Sequence, residues 1–514
     1  MEKFPWWTDA HVKLAEDVDN FVDEIMPRAQ ALAFKREYPW ELVKAIAKKG
    51  WFGAIIPEEY GGRQKEMGYT GCCIVHEGLS RGPHLQYPYL LTHCGGIEQI
   101  LGFAKGERRK EWLTKFAKGE LLGTVLLTEP YVGSDAAGVE STAVKDGDDY
   151  IVNGKKRFQT NSVAAQINIL YAVTSTDPAD VKKYRHLSAF VLEKGMPGFT
   201  VEKVNELIGF DNIYNSYLDI EDVRIPSTNL LGEEGDGWKI MMAGLNFERT
   251  ISAAGMLGSM QEGLRYALFH TERRVQFGAP TIKIATNQFK LAETLFTYKT
   301  ARLLTYYTAY MLDLHQQPAA EAAGAKMFTT DHPYGMKLYN DVIQCMGGDG
   351  VTKFYPVEFG LRDSKIMQIA AGSNEIMRVI LFSQGLRAIR DHLKPPIREI
   401  DPDLNIPVTV GFGEAKNKRS IKSEDDLLGL LADNYRVNPA LHMMLADIKA
   451  VADVDDDELV TFLDALEKNG LASLFRSRKG DIQMARPTYA GLRKAKPKEA
   501  YRYIPDWVIK EDLF

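Results

Sequence analysis

Hydrophobic periodicity changes twice along this chain, and that change limits the folds open to it. Up to about residue 122 the apolar side chains recur at helical spacing. Val12, Leu14, Ala15, Val18, Phe21, Val22 and Ile25 mark one face, and Trp40, Leu42, Val43, Ile46 and Ala47 mark another. Gly50 and the cluster at 57–62 stop these helices and begin a loop. From about 121 to 223 the pattern becomes strand-like, with runs at 123–127, 150–152, 167–173 and 187–192. Turn clusters at 146–149 and at Asn153-Gly154 separate them. Helical spacing returns near 235, where Ile251, Ala254, Leu257, Met260, Leu264 and Ala267 line one face of a long helix. Further helices are predicted over 285–316, 319–346 and 364–391. Helices, then strands, then helices argue for segregated layers in a multidomain α+β chain, not a doubly wound sheet.

The end of the chain reads differently. Pro395, Pro396, Pro402 and Pro407 make 394–420 a linker or wrapping segment. Beyond it, Ser423 with Glu424, Asp425 and Asp426 caps a helix through Leu427, Leu428, Leu430 and Leu431. Asp455, Asp456, Asp457 and Glu458 open another, with Leu459, Phe462, Leu463 and Leu466 on one face and Gly470 as its stop. Lys479, Gly480 and Asp481 then separate two strand-like runs, which is a hairpin signal. Helices followed by a hairpin look like a winged-helix module over 421–514. Arg476, Arg478, Lys479, Arg486, Arg493, Lys494, Lys496 and Lys498 make this tail locally basic, so nucleic acid is one reading. The acidic segment before it favours protein docking or oligomer contacts instead.

Composition excludes more than it selects. The 514 residues suit three or four domains, and a net charge of −6 gives no global reason to expect nucleic acid or a membrane surface. No run of about 18 uncharged apolar residues is present, so no transmembrane helix is expected. The N-terminus lacks the apolar core of a signal peptide. Cys72, Cys73, Cys94 and Cys345 have no metal-ligand spacing. A reduced, cytoplasmic setting without a metal centre is the expectation.

Four stretches carry candidate chemistry. The first, 128–135, follows a strand; Gly133 allows close backbone approach, and Thr128 and Ser134 offer hydroxyls. It reads equally as a hairpin loop. The second, 153–161, reads as a hairpin turn and a strand whose Phe158 and Thr160 share a side. An aromatic beside a hydroxyl suits a flat ring, and equally a core. Third, Arg274, Gln276, Phe277 and Gly278 end the long helix, and Gln344, Gly347 and Gly348 end another; these glycines read as C-caps or as close approaches to a pyrophosphate. Fourth, Gly372, Ser373, Asn374 and Glu375 resemble a helix start, whose free amides suit an anion or a carbonyl oxygen.

Taken together, the order, spacing and wording of these stretches resemble the acyl-CoA dehydrogenase family over about 8–392. The resemblance implies a helical domain at 1–122, a β domain at 123–234 and a four-helix domain at 235–393, followed by the linker and the 421–514 module. It implies FAD, lined by Val125, Leu127, Thr128 and Ser134 with Phe158 and Thr160 on the other side. Arg274, Gln276, Phe277, Gln344, Gly347 and Gly348 would reach a neighbouring subunit's FAD, and Ser373 and Glu375 the pyrophosphate. Ser134, Asn246, Arg249, Ala371 and Gly372 would meet the acyl-CoA. An electron-transferring flavoprotein and a homodimer or homotetramer are implied partners. The gap from Phe277 to Gln288 is about three residues longer than in the family, so Gln288 is carried over only loosely.

Oxidation of an acyl thioester at Cα–Cβ needs a carboxylate for the α-proton and a hydride acceptor, flavin N5, for the β-hydrogen. Many family members place a Glu immediately before the glycine matching Gly372; here that residue is Ala371, which keeps only its backbone N–H for the thioester oxygen. Isovaleryl-type members instead use a Glu-Arg step on the preceding long helix. Here that step is Glu248-Arg249, and it identifies Glu248 as the implied base. From pattern alone, a Glu-Arg step also reads as a solvated ion pair. Four rivals share the machinery: an enoyl-CoA reductase, a non-redox acyl-CoA lyase, a flavin monooxygenase and a DNA-binding acyl-CoA sensor.

Overall fold

Helix α1 (Asp9–Lys35) starts where Thr8 accepts a hydrogen bond from the His11 amide, 3.2 Å, and stops where Arg36 turns left-handed. Its buried face is the predicted one, from Leu14 to Ile25. Burying a side chain such as Val18 or Phe21 contributes about 1.5–3 kcal/mol. Helices α2 (Trp40–Lys48), α3 (Gly68–Leu79), α4 (Gln86–Thr92), α5 (Glu98–Phe103) and α6 (Gly106–Ala117) complete this layer. Helix α3 is buried on all sides from Thr70 to Leu79. A single turn of π-helix, His93–Ile97, joins α4 to α5.

This computed structural model describes residues 2–393, 398–399, 409–410, 414–415, 417–437 and 439–498. It divides into two units, Met1–Arg387 and Ala388–Phe514.

The β layer is an eight-stranded sheet: β1 (Gly123–Leu126), β2 (Thr142–Asp146), β3 (Asp149–Thr160), β4 (Ile167–Val173), β5 (Leu187–Glu193), β6 (Phe199–Val204), β7 (Asn215–Pro226) and β8 (Leu230–Leu231), with a short α7 (Pro178–Lys182) before β5. The order is β6-β7-β3-β2-β4-β5-β8, and β1 lies parallel to β4. Gly147 and Asp148 make the two-residue turn between β2 and β3. The turn expected at Asn153-Gly154 is not a turn. Both residues lie inside β3, where the pairing with β7 shifts register. A Cβ on Gly154 would stand 2.1 Å from Ser141 Oγ, so the glycine there serves a bulge and a close approach.

Helix α8 (Gly237–Arg273) is the spine of the second helical layer, packed by α9 (Ala285–Asp313), α10 (Ala319–Thr330) and α11 (Gly335–Met346). It crosses α3 at very short range: a Cβ on Gly258 would lie 2.0 Å from the Glu77 carbonyl oxygen. The single helix expected over 319–346 is two, because 331–334 contains Pro333, which has no N–H to continue a helix. The helix expected over 364–391 starts earlier, as α12 (Glu358–Ile369), and breaks before α13 (Asn374–Ile380). The break is the turn at Ala371 and Gly372, with φ of 56° and 81°.

In the second unit, helices Glu424–Val437, Leu445–Val451, Asp456–Lys468 and Tyr489–Ala495 surround a three-stranded antiparallel sheet. Ile482–Pro487 is its central strand, between Met443–Met444 and Ala472–Arg476. Leu427, Leu431, Ile448, Leu459, Leu463, Leu466 and Ala485 form its core. Arg419–Ser420 pairs in parallel with Ala452–Asp453. Most of the 394–420 stretch, read as a linker, lies outside the described residues. Among the described residues no helix is long and apolar enough to cross a membrane, and no group of three or more His, Cys, Asp or Glu side chains could hold a metal ion.

Candidate active site

Glu248 lies on α8, partly buried, and its carboxylate makes no hydrogen bond or ion pair among the described residues. Adjacent residues on a helix do not face each other, so Glu248 and Arg249 form no ion pair. Burial raises the Glu248 pKa, opposed by the charges of Arg249 and Lys326. Arg249 is itself buried, its Nε has no acceptor, and burial lowers its pKa. One turn of α8 thus presents, among the described residues, a carboxylate without a hydrogen-bond partner and a guanidinium Nε without an acceptor. Asn246, also buried, donates to Gln317 Oε1 at 3.1 Å.

Helices α10 and α12 both pack against α8, and the turn between α12 and α13 follows directly on α12. Ser373 caps α13, its Oγ accepting from the Ile376 amide at 3.4 Å, while Glu375 is exposed in the first turn. The turn is held by a residue that the sequence did not single out. Lys326 of α10 is fully buried and donates from Nζ to the Gly372 carbonyl at 2.8 Å and to Asn374 Oδ1 at 2.9 Å. A lysine among alanines on a helix ordinarily reads as solvated; the only local hint is its small neighbours Ala322, Ala323 and Ala325.

The β side is a platform clamped to β3. Val125, Leu127 and Thr128 are partly exposed, and Gly133 and Ser134 sit exposed at the loop tip. The Arg157 amide and Gln159 Nε2 both donate to the Thr128 carbonyl, at 2.9 and 2.8 Å. Beneath, buried Glu129 accepts from the Ser141 amide at 3.1 Å and from Lys156 Nζ at 2.6 Å. Burial pushes the Lys156 pKa down to about 8, against the attraction of Glu129. This pair was also not singled out in the sequence. A second register shift in β3, between Lys156 and Gln159, breaks the simple alternation that placed Phe158 and Thr160 together. Phe158 takes a left-handed φ of 56° and stays exposed, with the Arg157 guanidinium 4.3 Å from its ring, and Thr160 is partly exposed, its Oγ1 accepting from Asn215 Nδ2 at 2.8 Å.

The remaining predicted residues lie apart from Glu248 in chain and surface. Arg274, Gln276 and Phe277 project from the hairpin Val275–Gln276/Ala279–Pro280, and Phe277 is 99% exposed. Gln344, Gly347 and Gly348 are exposed at the end of α11, with nothing near where a Cβ would stand on either glycine. The longer gap before Gln288 is filled by Ala279–Pro280 and a 3-10 turn, Thr281–Lys283, and Gln288 is exposed on α9.

A second carboxyl group shares the α8 neighbourhood. Glu98 on α5 is raised to about 7 by burial, and both its oxygens accept from Tyr69 Oη at 3.3 Å. A Cβ on Gly244, one helical turn before Glu248, would lie 3.8 Å from Glu98 Cγ.

Comparison with known proteins gives a consistent set of relatives. The domains described as "Acyl-CoA dehydrogenase, N-terminal domain", "middle domain" and "C-terminal domain" match residues 8–120, 124–223 and 235–386. An acyl-CoA dehydrogenase of Bacillus subtilis (strain 168) is 38% identical over 383 residues, covering 73% of this chain and 97% of that protein. A mitochondrial isovaleryl-CoA dehydrogenase of Oryza sativa subsp. japonica is 34% identical, covering 73% and 90%. The solved structure of butyryl-CoA dehydrogenase from Megasphaera elsdenii superposes with a TM-score of 0.71 at 31% identity, covering 75% of this chain and all of that one.

Proposed function

Because the chain belongs to the acyl-CoA dehydrogenase family, we propose that Glu248 is the base that removes the α-proton of a bound acyl-CoA. The chain is an acyl-CoA dehydrogenase, an oxidoreductase, with FAD as cofactor. Bound FAD supplies the acceptor, at N5, for the β-hydride. The rest is the work of side chains. A carboxylate with no hydrogen-bond donor of its own, raised in pKa by burial, is a stronger base than a solvated one, and this observation carries the proposal. The charges of Arg249 and Lys326 favour its ionised form against that burial. The Ala371 N–H polarises the thioester oxygen, and Arg249 and Asn246 orient the substrate. Val125, Leu127, Thr128, Ser134, Phe158 and Thr160 would hold the isoalloxazine, and Ser373 and Glu375 the pyrophosphate region.

Retention of a free carboxylate favours redox chemistry over a lyase. Anaerobic incubation with a panel of acyl-CoA thioesters separates the readings by product mass. Loss of two hydrogens, with bleaching of flavin absorbance, is the expected result. Loss of a substituent without bleaching identifies a lyase, and turnover of an enoyl-CoA to a product two hydrogens heavier, with dithionite supplied to reduce the flavin and no oxidation of any acyl-CoA in the panel, identifies a reductase. Electrons would pass to an electron-transferring flavoprotein.

A second copy of the chain is part of the proposal. Phe289, Phe296 and Leu303 recur every seven residues along α9 and are exposed, as is Phe382 beyond α13. The hairpin with Arg274, Gln276 and Phe277 and the α11 end with Gln344, Gly347 and Gly348 would meet the partner's FAD. Light scattering should return the mass of a dimer or tetramer; a monomer contradicts it. For 421–514 we infer a winged-helix module, supported among the described residues by a helix, strand and helix that are followed, after the short strand Ala452–Asp453, by a helix and two paired strands, with the helix Tyr489–Ala495 beyond them. Its third helix opens on Asp456, Asp457 and Glu458, and Arg476, Lys494 and Lys496 are engaged by Asp464, Asp425 and Asp433. Both features favour a protein partner; salt-dependent binding of duplex DNA would reverse that preference.

A further inference from the structure

The Lys326 Nζ faces three acceptors: the Gly372 carbonyl at 2.8 Å, Asn374 Oδ1 at 2.9 Å and the Gln368 carbonyl at 3.4 Å. An ammonium has three N–H donors and satisfies all three, whereas a neutral amine has two and leaves one acceptor unpaired. One acceptor, the Gly372 carbonyl, belongs to the turn that follows α12, and another, Asn374, opens α13 directly after it. That turn holds Ala371 at a φ of 56°, a conformation costing a residue with a Cβ about 1–2 kcal/mol and persisting only when its surroundings fix it. Lys326 fixes it from inside the protein. Asn374 adds a second tie, donating to Thr330 Oγ1 at 3.1 Å. The charged groups that face Lys326 are Arg249 and Glu248 from α8, Asp331 just beyond its own helix, and Glu375 from α13.

We propose that Lys326, as an ammonium, is the positioning residue of the proton-abstraction step: it holds the turn that offers the Ala371 N–H to the thioester oxygen, and it favours the ionised form of Glu248. This rests on the reading of Glu248 as the base. Loss of the Lys326 proton therefore removes one of its three ties around the turn and one cation beside the carboxylate together.

Burial and the neighbouring Arg249 push the Lys326 pKa down to about 7, so that loss falls in the neutral range. The rate of flavin reduction then rises with pH as Glu248 ionises and falls as Lys326 deprotonates. Stability moves the other way. The unfolded chain keeps the Lys326 proton up to the ordinary 10.5, so between about 7 and 10.5 it binds more protons than the folded state, and folding stability from this group rises with pH. A declining rate across that window alongside a steady or rising melting temperature is therefore not unfolding.

The test uses the FAD-loaded full chain, an acyl-CoA that the wild type oxidises, and the pH dependence of anaerobic flavin reduction and of melting. Lys326→Met is expected to slow reduction roughly 100-fold through misplacement of the turn, move the acid limb to higher pH and erase the alkaline limb. Lys326→Arg, charged at every accessible pH, is expected to keep the acid limb and carry the alkaline limb out of the neutral range. A Lys326→Met protein with both wild-type limbs overturns the proposal. If that variant fails to fold, an unmoved alkaline limb in Lys326→Arg overturns it instead. Acyl-CoA binding is read in a Glu248→Gln background, where the expected result is weaker binding when Lys326→Met is added and the contrary result is equal affinity. If Glu248→Gln alone still reduces its flavin at the wild-type rate, the underlying assignment fails, separately from this one.

Discussion

Glu248→Gln will retain FAD and bind acyl-CoA, yet reduce its flavin about 10²–10⁴-fold more slowly than the wild type, the range a positioned general base contributes. The glutamine fits because the carboxylate it replaces accepts no hydrogen bond and forms no ion pair among the described residues. Its amide cannot take the α-proton. The same substitution should raise the melting temperature at neutral pH. A carboxyl group with a raised folded pKa holds its proton more tightly in the folded chain than in the unfolded chain, so its contribution to stability falls as pH rises through that pKa. Gln has no charge to bury. Lower activity with higher stability is the signature of a group kept for chemistry rather than for packing. Wild-type activity, for its part, should fall toward acid pH with an apparent pKa above the ordinary 4.5 of a glutamate.

Glu129→Ala carries the largest expected cost to stability. Lys156 and Glu129 are almost completely excluded from solvent, with side-chain exposures of 0% and 2%. Removing the carboxylate strands a buried cation, for which about 3–5 kcal/mol is typical. It also frees the Glu140 and Ser141 amides and the Ser141 hydroxyl, which now converge on Glu129. The 128–141 loop loses its anchor, and FAD should be lost on dilution or gel filtration before the protein unfolds. Thermal melting and the ratio of flavin to protein absorbance check both halves. A melting temperature and flavin content equal to wild type would show that the pair is not what holds the platform. The double variant Glu129→Ala/Lys156→Met should recover part of the loss, because no uncompensated charge remains.

The helical and strand layers were legible because their apolar spacing is set by the 3.6- and 2-residue periods, as in α1 and β4. Glu248, Ala371 and the 128–135 loop were legible through a family resemblance rather than through any local pattern. What escaped had physical reasons. Asn153-Gly154 has the composition of a hairpin turn, and only the approach of Ser141 makes the glycine a bulge. The break at 331–334 turned on a single proline within otherwise helical spacing. Lys326, Lys156 and Glu98 each look solvated in one dimension. Their burial is created by elements distant in sequence, so no local spacing announces it. The burial of Glu98 and its raised pKa also make it the natural competitor to Glu248.

That competition is settled by following the α-proton itself. Anaerobic incubation of FAD-loaded enzyme with acyl-CoA in D2O, followed by mass spectrometry of the recovered thioester, reports which carboxylate exchanges it. The wild type and Glu98→Gln are expected to introduce deuterium at Cα, and Glu248→Gln to introduce none above the background without enzyme. Deuterium incorporation by Glu248→Gln at the wild-type rate, or its loss in Glu98→Gln alone, would contradict the assignment of Glu248 as the base.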